Sequence, residues 1–452
     1  MLSLSNNGAS VAMELQFPSL LTLFSSFLFL AVVAKIAKKV KTLYSNTQRL
    51  PPGPWKLPLI GNLHQLAGSI PHRILRDLAG KHGPLMHLQL GETFNIVVSS
   101  REIAKEVLIT HGTQNCTLEL LTAKRIKSFE SIRQEEVSNL VKYISSNEGL
   151  PVNFSKKIFG LTYDITSRAA FGSKYNDRDS YSSIVEEISD KILQFVIDDH
   201  RERLERGKIG DEGEEAREDL ITVLLKIQQL GQLELPLSDN DIKAIIWDVF
   251  SGGSETSSTI VDWAMSEMMR NPRVLQKAQN EVRSVCNGKG DVDEANIEEL
   301  KYLALVIKET LRLHPSFPLL VPRESREDCE INGYGIPAKT RVIINAWAIA
   351  RDPKYWIEPE TFYPERFLNS SSDYKGTNLE FIPFGAGRRM CPGILYALPN
   401  IELPLAKLLY HFDWKLPNGM GYENLDMTEA FGVAVRRKEN LILIPAIHKP
   451  CV

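Results

Sequence analysis

The sequence predicts a mainly α-helical fold with small β-sheets, gathered in one large domain behind an N-terminal membrane anchor. Three observations carry that prediction. Stretches at 242–269, 297–313 and 403–412 place apolar residues at helical spacing. The stretch at 330–350 changes pattern, with an Asn332-Gly333 turn signal and a β-branched run at 341–344, so short strands are expected there. A single apolar run at 17–34 is followed at once by Lys35, Lys38, Lys39 and Lys41.

The chain has 452 residues, 43% hydrophobic and 24% charged, which is ample for a sizeable core. Its formal net charge of −3 lacks the basic excess expected of a nucleic-acid-binding protein. The 5 cysteines are scattered and form no C-x-x-C pair, which argues against both a disulfide scaffold and a structural zinc site. If cysteine matters here, it matters singly.

In chain order, 1–12 is a polar extension, 13–34 a transmembrane signal anchor, 35–54 a basic and proline-rich linker, and 55–452 the main domain. The apolar run just reaches spanning length, about 17–25 residues. Its cationic flank lies behind it, so the positive-inside rule leaves the rest of the chain in the cytosol. A cleaved signal would carry its positive charge in front. Pro51, Pro52 and Pro54 cannot continue a helix and predict a stiff, extended spacer. The acid-rich stretch 210–219 reads as an exposed loop. The 242–269 helix ends at Asn271-Pro272, and the 297–313 helix at His314-Pro315.

The decisive segment runs Pro383-Phe384-Gly385-Ala386-Gly387-Arg388-Arg389-Met390-Cys391-Pro392-Gly393. It is a glycine-rich loop delivering one cysteine to the start of a helix, with Pro392 suited to the first helical position. Glycines let backbone approach a flat partner. Helix-start N–H groups and nearby guanidiniums favour the thiolate, the form that binds metal. Arg389 suits a carboxylate at that partner's edge. A buried structural cysteine is the plainer alternative, and the order of loop, arginine and cysteine weighs against it.

On these residues the chain resembles the cytochrome P-450 superfamily of haem-thiolate monooxygenases. Phe384, Gly387, Arg389, Cys391 and Gly393 match its haem-binding signature, and the resemblance implies Cys391 as axial ligand of the haem iron. Glu309-Thr310-Leu311-Arg312 is similar to the E-x-x-R of helix K, and Pro364-Glu365-Arg366-Phe367 to the P-E-R-F segment. Glu309 and Arg312 lie one helical turn apart, and Arg366 can share the carboxylate. Alone, such a pair is a solvated surface contact worth well under about 1 kcal/mol; the ordered set lifts it above that. Gly252-Gly253-Ser254-Glu255-Thr256-Ser257 resembles the helix I signature. Two glycines mid-helix cost about 1 kcal/mol each, which predicts a local opening for a small molecule. Glu255 and Thr256 would then supply protons during oxygen activation.

The likeness sharpens toward plant microsomal enzymes of the seventy-one clan, D subfamily, which hydroxylate terpenoids and sometimes alkaloids. It implies a small apolar substrate, O2, electrons from NADPH through a membrane-bound reductase, and an endoplasmic reticulum location. By position, Val249, Gly253, Phe317, Leu319, Leu320, Ala430 and Phe431 would line the pocket, and Arg323 would join Arg389 in holding haem. Taken alone, such apolar residues are more often core than pocket.

Three features depart from the family pattern. Residues 110–115 run directly into Cys116-Thr117-Leu118-Glu119-Leu120-Leu121, and no tryptophan lies between Trp55 and Trp247. The W-x-x-x-R helix C is therefore missing near 112–116. A second shortening falls at 182–200, where helices F and G form the roof in the family, and both gaps resemble lost exon sequence or a faulty gene model. Pro399 inside the helix after Cys391 predicts a kink. The shortened form admits an alternative, a membrane-anchored remnant that no longer binds haem. A haem-thiolate isomerase or dehydratase ranks last, because Glu255, Thr256 and the cysteine loop are all intact.

Overall fold

The computed structural model describes residues 50–110, 121–173, 190–206, 218–231 and 236–449. The 1–12 extension, the 13–34 anchor, the basic run after it, the 111–116 junction with residues up to 120, the gap region at 182–189 and the acidic stretch at 210–217 lie outside these residues. Among the described residues no helix is long and apolar enough to cross a membrane.

Residues 51–452 form one compact unit. Its boundary falls before Pro51, so the proline segment is not a free spacer. His87 Nδ1 meets the Pro51 carbonyl at 2.7 Å, and the His87 N–H donates to the Pro52 carbonyl at 2.9 Å. Gly53 lies so close to His87 that a Cβ there would sit 2.3 Å from its carbonyl oxygen. An extended proline run offers its carbonyls outward, and the neighbouring strand uses them.

The predicted helical fold with small sheets is what forms. The long helix is Asp239–Arg270, and it starts at a capping box in which Ser238 and Asp241 bond each other's backbone N–H. It packs most extensively on the Phe154–Phe171 helix and next on Ile394–His411. Lys301–Leu313 follows a separate short turn, Glu294–Ile297, which splits the helix expected at 297–313. The 403–412 pattern belongs to a longer helix, Ile394–His411, that runs through both Pro399 and Pro404 without an interruption. Apolar residues of these helices, among them Val261, Met265, Val306, Ile307 and Leu405, fill the largest core cluster.

The largest sheet has four strands in the order Leu85–Leu90, Thr93–Val98, Arg341–Ile344, Arg323–Glu324. Thr93–Val98 pairs in parallel with Arg341–Ile344, joining residues almost 250 positions apart. Cys329–Ile331 and Tyr334–Ile336 form the expected hairpin, with Asn332 at φ 50° and Gly333 at φ 76° in its turn. This sheet abuts the cysteine loop, since Ile344, Ile382 and Ala386 share one core cluster.

Candidate active site

The cysteine loop is built by two left-handed glycines and one closing bond. Gly385 (φ 72°) and Gly387 (φ 70°) turn the chain where an L side chain would be strained. The Cys391 N–H then donates to the Phe384 carbonyl at 2.9 Å. The Phe384 ring packs edge-on against Tyr374 at 5.7 Å. Gly376 comes so close that a Cβ on it would lie 2.9 Å from Met390 Sδ.

The helix after the loop starts at Ile394, with Gly393 as its cap, rather than at Pro392. Pro392 and Gly393 form a turn instead, and the Gly393 N–H bonds the Cys391 sulfur. Cys391 is free and exposed, yet protein surrounds its thiol on the other sides. That burial pushes the thiol above its ordinary pKa, and the Gly393 N–H pulls the other way.

The arginines supply the fit for an anionic group beside this sulfur. Arg323 is half-buried and donates from Nη2 to the Ala386 carbonyl at 3.2 Å. Burial, and then the charge of Arg389, push its pKa down. Two guanidiniums close enough to repel each other, one of them exposed and with no acidic partner among the described residues, make a cationic patch that suits an anionic group. A reachable thiol on a glycine loop and a nearby cation pair fit an iron porphyrin with acidic edge groups.

Glu309, Arg312 and Arg366 come together as expected, but not at the surface. Arg312 grips Glu309 with two bonds, Nε to Oε2 at 2.8 Å and Nη2 to Oε1 at 2.9 Å, and both side chains are fully buried. Arg366 Nε and the Tyr363 N–H reach the same Oε1 at 2.9 Å each. The outer nitrogens of the arginines take backbone carbonyls. Arg312 Nη1 serves Ala350 and Pro359, while Arg366 serves Ile357, Glu358 and Thr361. Two side chains on one helix thus fix an irregular loop that has no ladder of its own.

The long helix shows no break at its glycines. The Thr256 hydroxyl donates back to the Gly252 carbonyl, and Ser316 Oγ donates to the Thr256 carbonyl at 3.1 Å. Glu255 faces a cleft shared with Ser258 and Asp262, about 100° around the helix from Thr256. Gly253 packs tightly, since a Cβ there would stand 3.0 Å from the Tyr396 ring and 3.4 Å from Thr166 Cγ2.

The remaining expected pocket residues divide. Leu319 packs with Leu75, Met86 and Leu88, and Val249 with the cluster that includes Ile242 and Ile246. Leu320 takes a left-handed φ of 51° against the cysteine-loop cluster. Phe317 and Ala430 are half-buried, and Phe431 is 78% exposed. Sequence reasoning did not find Ser316 or Asp262. Their partners lie 60 and 107 positions away, so no local spacing marks them.

The cytochrome P450 family model matches residues 51–115 and 181–444. Cytochrome P450 71D10 of Glycine max is 49% identical over 501 aligned positions, covering 95% of this chain and 96% of that protein. Tabersonine 6,7-epoxidase isoform 1 of Catharanthus roseus is 49% identical over 494 positions, covering 94% and 97%. A solved zebra fish cytochrome P450, described with abiraterone, superposes with a TM-score of 0.68 at 26% identity, over 84% of this chain and 99% of that one. The chain belongs to the cytochrome P450 family, the monooxygenases built on a haem-thiolate centre.

Proposed function

We propose that this protein inserts one oxygen atom of O2 into a small apolar plant metabolite, a terpenoid in the first instance, with electrons from NADPH through a membrane-bound reductase. Segment 13–34 anchors it in the endoplasmic reticulum membrane, with the catalytic domain in the cytosol. The observation that carries the reading is the reachable Cys391 thiol on its glycine loop, to which Arg323 is bonded at the Ala386 carbonyl with Arg389 near it.

Haem, when bound, supplies the iron at which O2 is reduced. Cys391 would hold that iron, with the Gly393 N–H bonded to its sulfur and moderating its charge. Arg323 and Arg389 would take the acidic edge groups, and Phe384 and Gly387 shape the loop that would receive the ring. Glu309, Arg312 and Arg366 keep the neighbouring loop in one arrangement, so the cysteine is held in place before any ligand arrives. Glu255 and Thr256, on adjoining faces of one helix, are the residues this reading assigns to proton supply.

One observation favours a second reading, a remnant that no longer binds haem. The alignments run to 501 and 494 positions, longer than the 452-residue chain, so each contains positions of the relative with no counterpart here. The family match also stops at 115 and resumes at 181, which agrees with a lost helix C.

The carbon-monoxide difference spectrum of the reduced protein in microsomes separates the two readings. The monooxygenase reading expects a red-shifted Soret band in the wild type that Cys391→Ser abolishes. Absence of the band in the wild type would replace this reading with the remnant.

A further inference from the structure

The chain from Thr428 to Lys438 folds back on itself. The Ala430 N–H donates to the Arg436 carbonyl at 2.8 Å, the Lys438 N–H donates to the Thr428 carbonyl at 2.9 Å, and Glu429 pairs antiparallel with Arg437. Its tip is apolar and uncovered, for Phe431 and Val433 are each 78% exposed. Its feet are the reverse. Ala434 and Val435 are buried, and the Glu429 side chain is 2% exposed.

Two clamps hold those feet. On one side Glu429 Oε2 lies 3.2 Å from His72 Nε2 and accepts Arg73 Nε at 2.8 Å, both partners standing on the helix Pro71–His82. Burial holds the His72 pKa down, so its neutral ring donates to the carboxylate. Burial alone would raise the Glu429 carboxyl, but the bonds from His72 and Arg73 outweigh it and bring it down to about 2. The carboxylate therefore stays charged well below neutral pH. On the other side the Val435 N–H donates to the Ser316 carbonyl at 2.9 Å, and the Val435 carbonyl accepts Trp263 Nε1 at 3.1 Å. Ser316 is the residue whose hydroxyl donates to the Thr256 carbonyl, so the tip stands beside that turn of the long helix.

The contacts close into a ring. His72 packs against Trp347 at 4.8 Å, and the Trp347 N–H donates to the Pro318 carbonyl at 3.1 Å, two residues from Ser316. A phenyl ring and an isopropyl group left bare on so firmly held a hairpin are a wall prepared for an apolar ligand.

We infer that Glu429 is a positioning residue for substrate: by clamping the hairpin to the Pro71–His82 helix it sets where Phe431 and Val433 stand, and so which part of an apolar substrate is presented. The inference rests on the monooxygenase reading above. Only two residues separate the clamp from Phe431, at most about 7 Å of chain, so little slack lies between them. With the clamp released, Val435 alone holds the tip, and a shift of about 1 Å in a wall is enough to spoil the fit of a bound molecule. Glu429 acts through the hairpin and not on the reacting atoms.

The test is Glu429→Ala in the haem-loaded full chain, read by two ligands of different reach that bind haem iron through a ring nitrogen. Imidazole ends close to the iron, whereas phenylimidazole carries a further ring out toward the substrate wall. Their dissociation constants come from titrating the Soret shift, without turnover. Phenylimidazole should bind about tenfold more weakly to the variant, and imidazole as it does to the wild type. Glu429→Gln keeps an acceptor for His72 and Arg73 and should restore most of the phenylimidazole affinity. Unchanged phenylimidazole affinity in Glu429→Ala, or an equal loss for both ligands, overturns the inference. If Glu429→Ala does not fold, Arg73→Met decides, since it removes only the half-exposed partner. It should weaken phenylimidazole by a smaller factor and leave imidazole alone, and no difference between the two ligands counts against the clamp. Absence of the carbon-monoxide band in the wild type would defeat the monooxygenase reading itself, and this inference with it.

Discussion

Replacing Glu309 with alanine tests the buried charge cluster most directly. The substitution removes the carboxylate that Arg312, Arg366 and the Tyr363 N–H all address. Arg312 is 0% exposed and the Arg366 side chain 9%, so water cannot replace the lost acceptor without opening the loop. Breaking a buried pair from one side costs about 3–5 kcal/mol, and the orphaned N–H adds about 1 kcal/mol. Against a total stability of about 5–15 kcal/mol, that is about a quarter or more. Urea unfolding followed by circular dichroism should show the loss as a lower midpoint with a similar slope. A destabilisation under about 1 kcal/mol, the worth of an exposed pair, would refute the argument. The double variant Glu309→Leu, Arg312→Met sharpens it. Apolar replacement often restores stability when only an ion pair is removed. Here it also strips the Ala350 and Pro359 carbonyls of their donor, so no recovery over Glu309→Ala is expected.

The other predictions concern the helices on either side of the cysteine. Gly252→Ala meets open space and should stabilise by up to about 1 kcal/mol through helix propensity alone. Gly253→Ala brings a methyl to 3.0 Å from Tyr396 and should destabilise by about 1–3 kcal/mol; thermal melts of the pair would show opposite signs. Glu402 is pushed up to about 7 by burial and then by the charge of Glu294. A carboxyl raised in the fold contributes its stability fully below the unfolded value near 4.5 and loses it as pH rises through about 7. Glu402→Gln should therefore raise the melting temperature at pH 8 and leave it nearly unchanged at pH 4.5, and equal shifts at both would contradict the assignment.

Much of the site was legible because it is local. The glycine loop from Phe384 to Gly393 needs left-handed turns at fixed positions, and only the residues themselves can provide them. The same holds for the one-turn spacing of Glu309 and Arg312 and for the hairpin turn at Asn332-Gly333. Helix limits were read less well. The 297–313 pattern continues through a cap that the chain uses to start anew at Lys301, and Pro399 and Pro404 fit inside a helix whose neighbours hold it.

The sequence by itself determined that one cysteine, one acid–arginine cluster and one glycine-bearing helix would meet in a mostly helical domain, because each motif encodes its own local geometry. Tertiary structure alone decided three things. Glu309 and Arg312 are fully excluded from water, Gly253 serves the packing of Tyr396, and Asp262 and Arg437 line one cleft. Burial and facing depend on which distant segment arrives to cover a residue, and a covering segment up to about 170 positions away leaves no mark on the local pattern of charge and hydrophobicity.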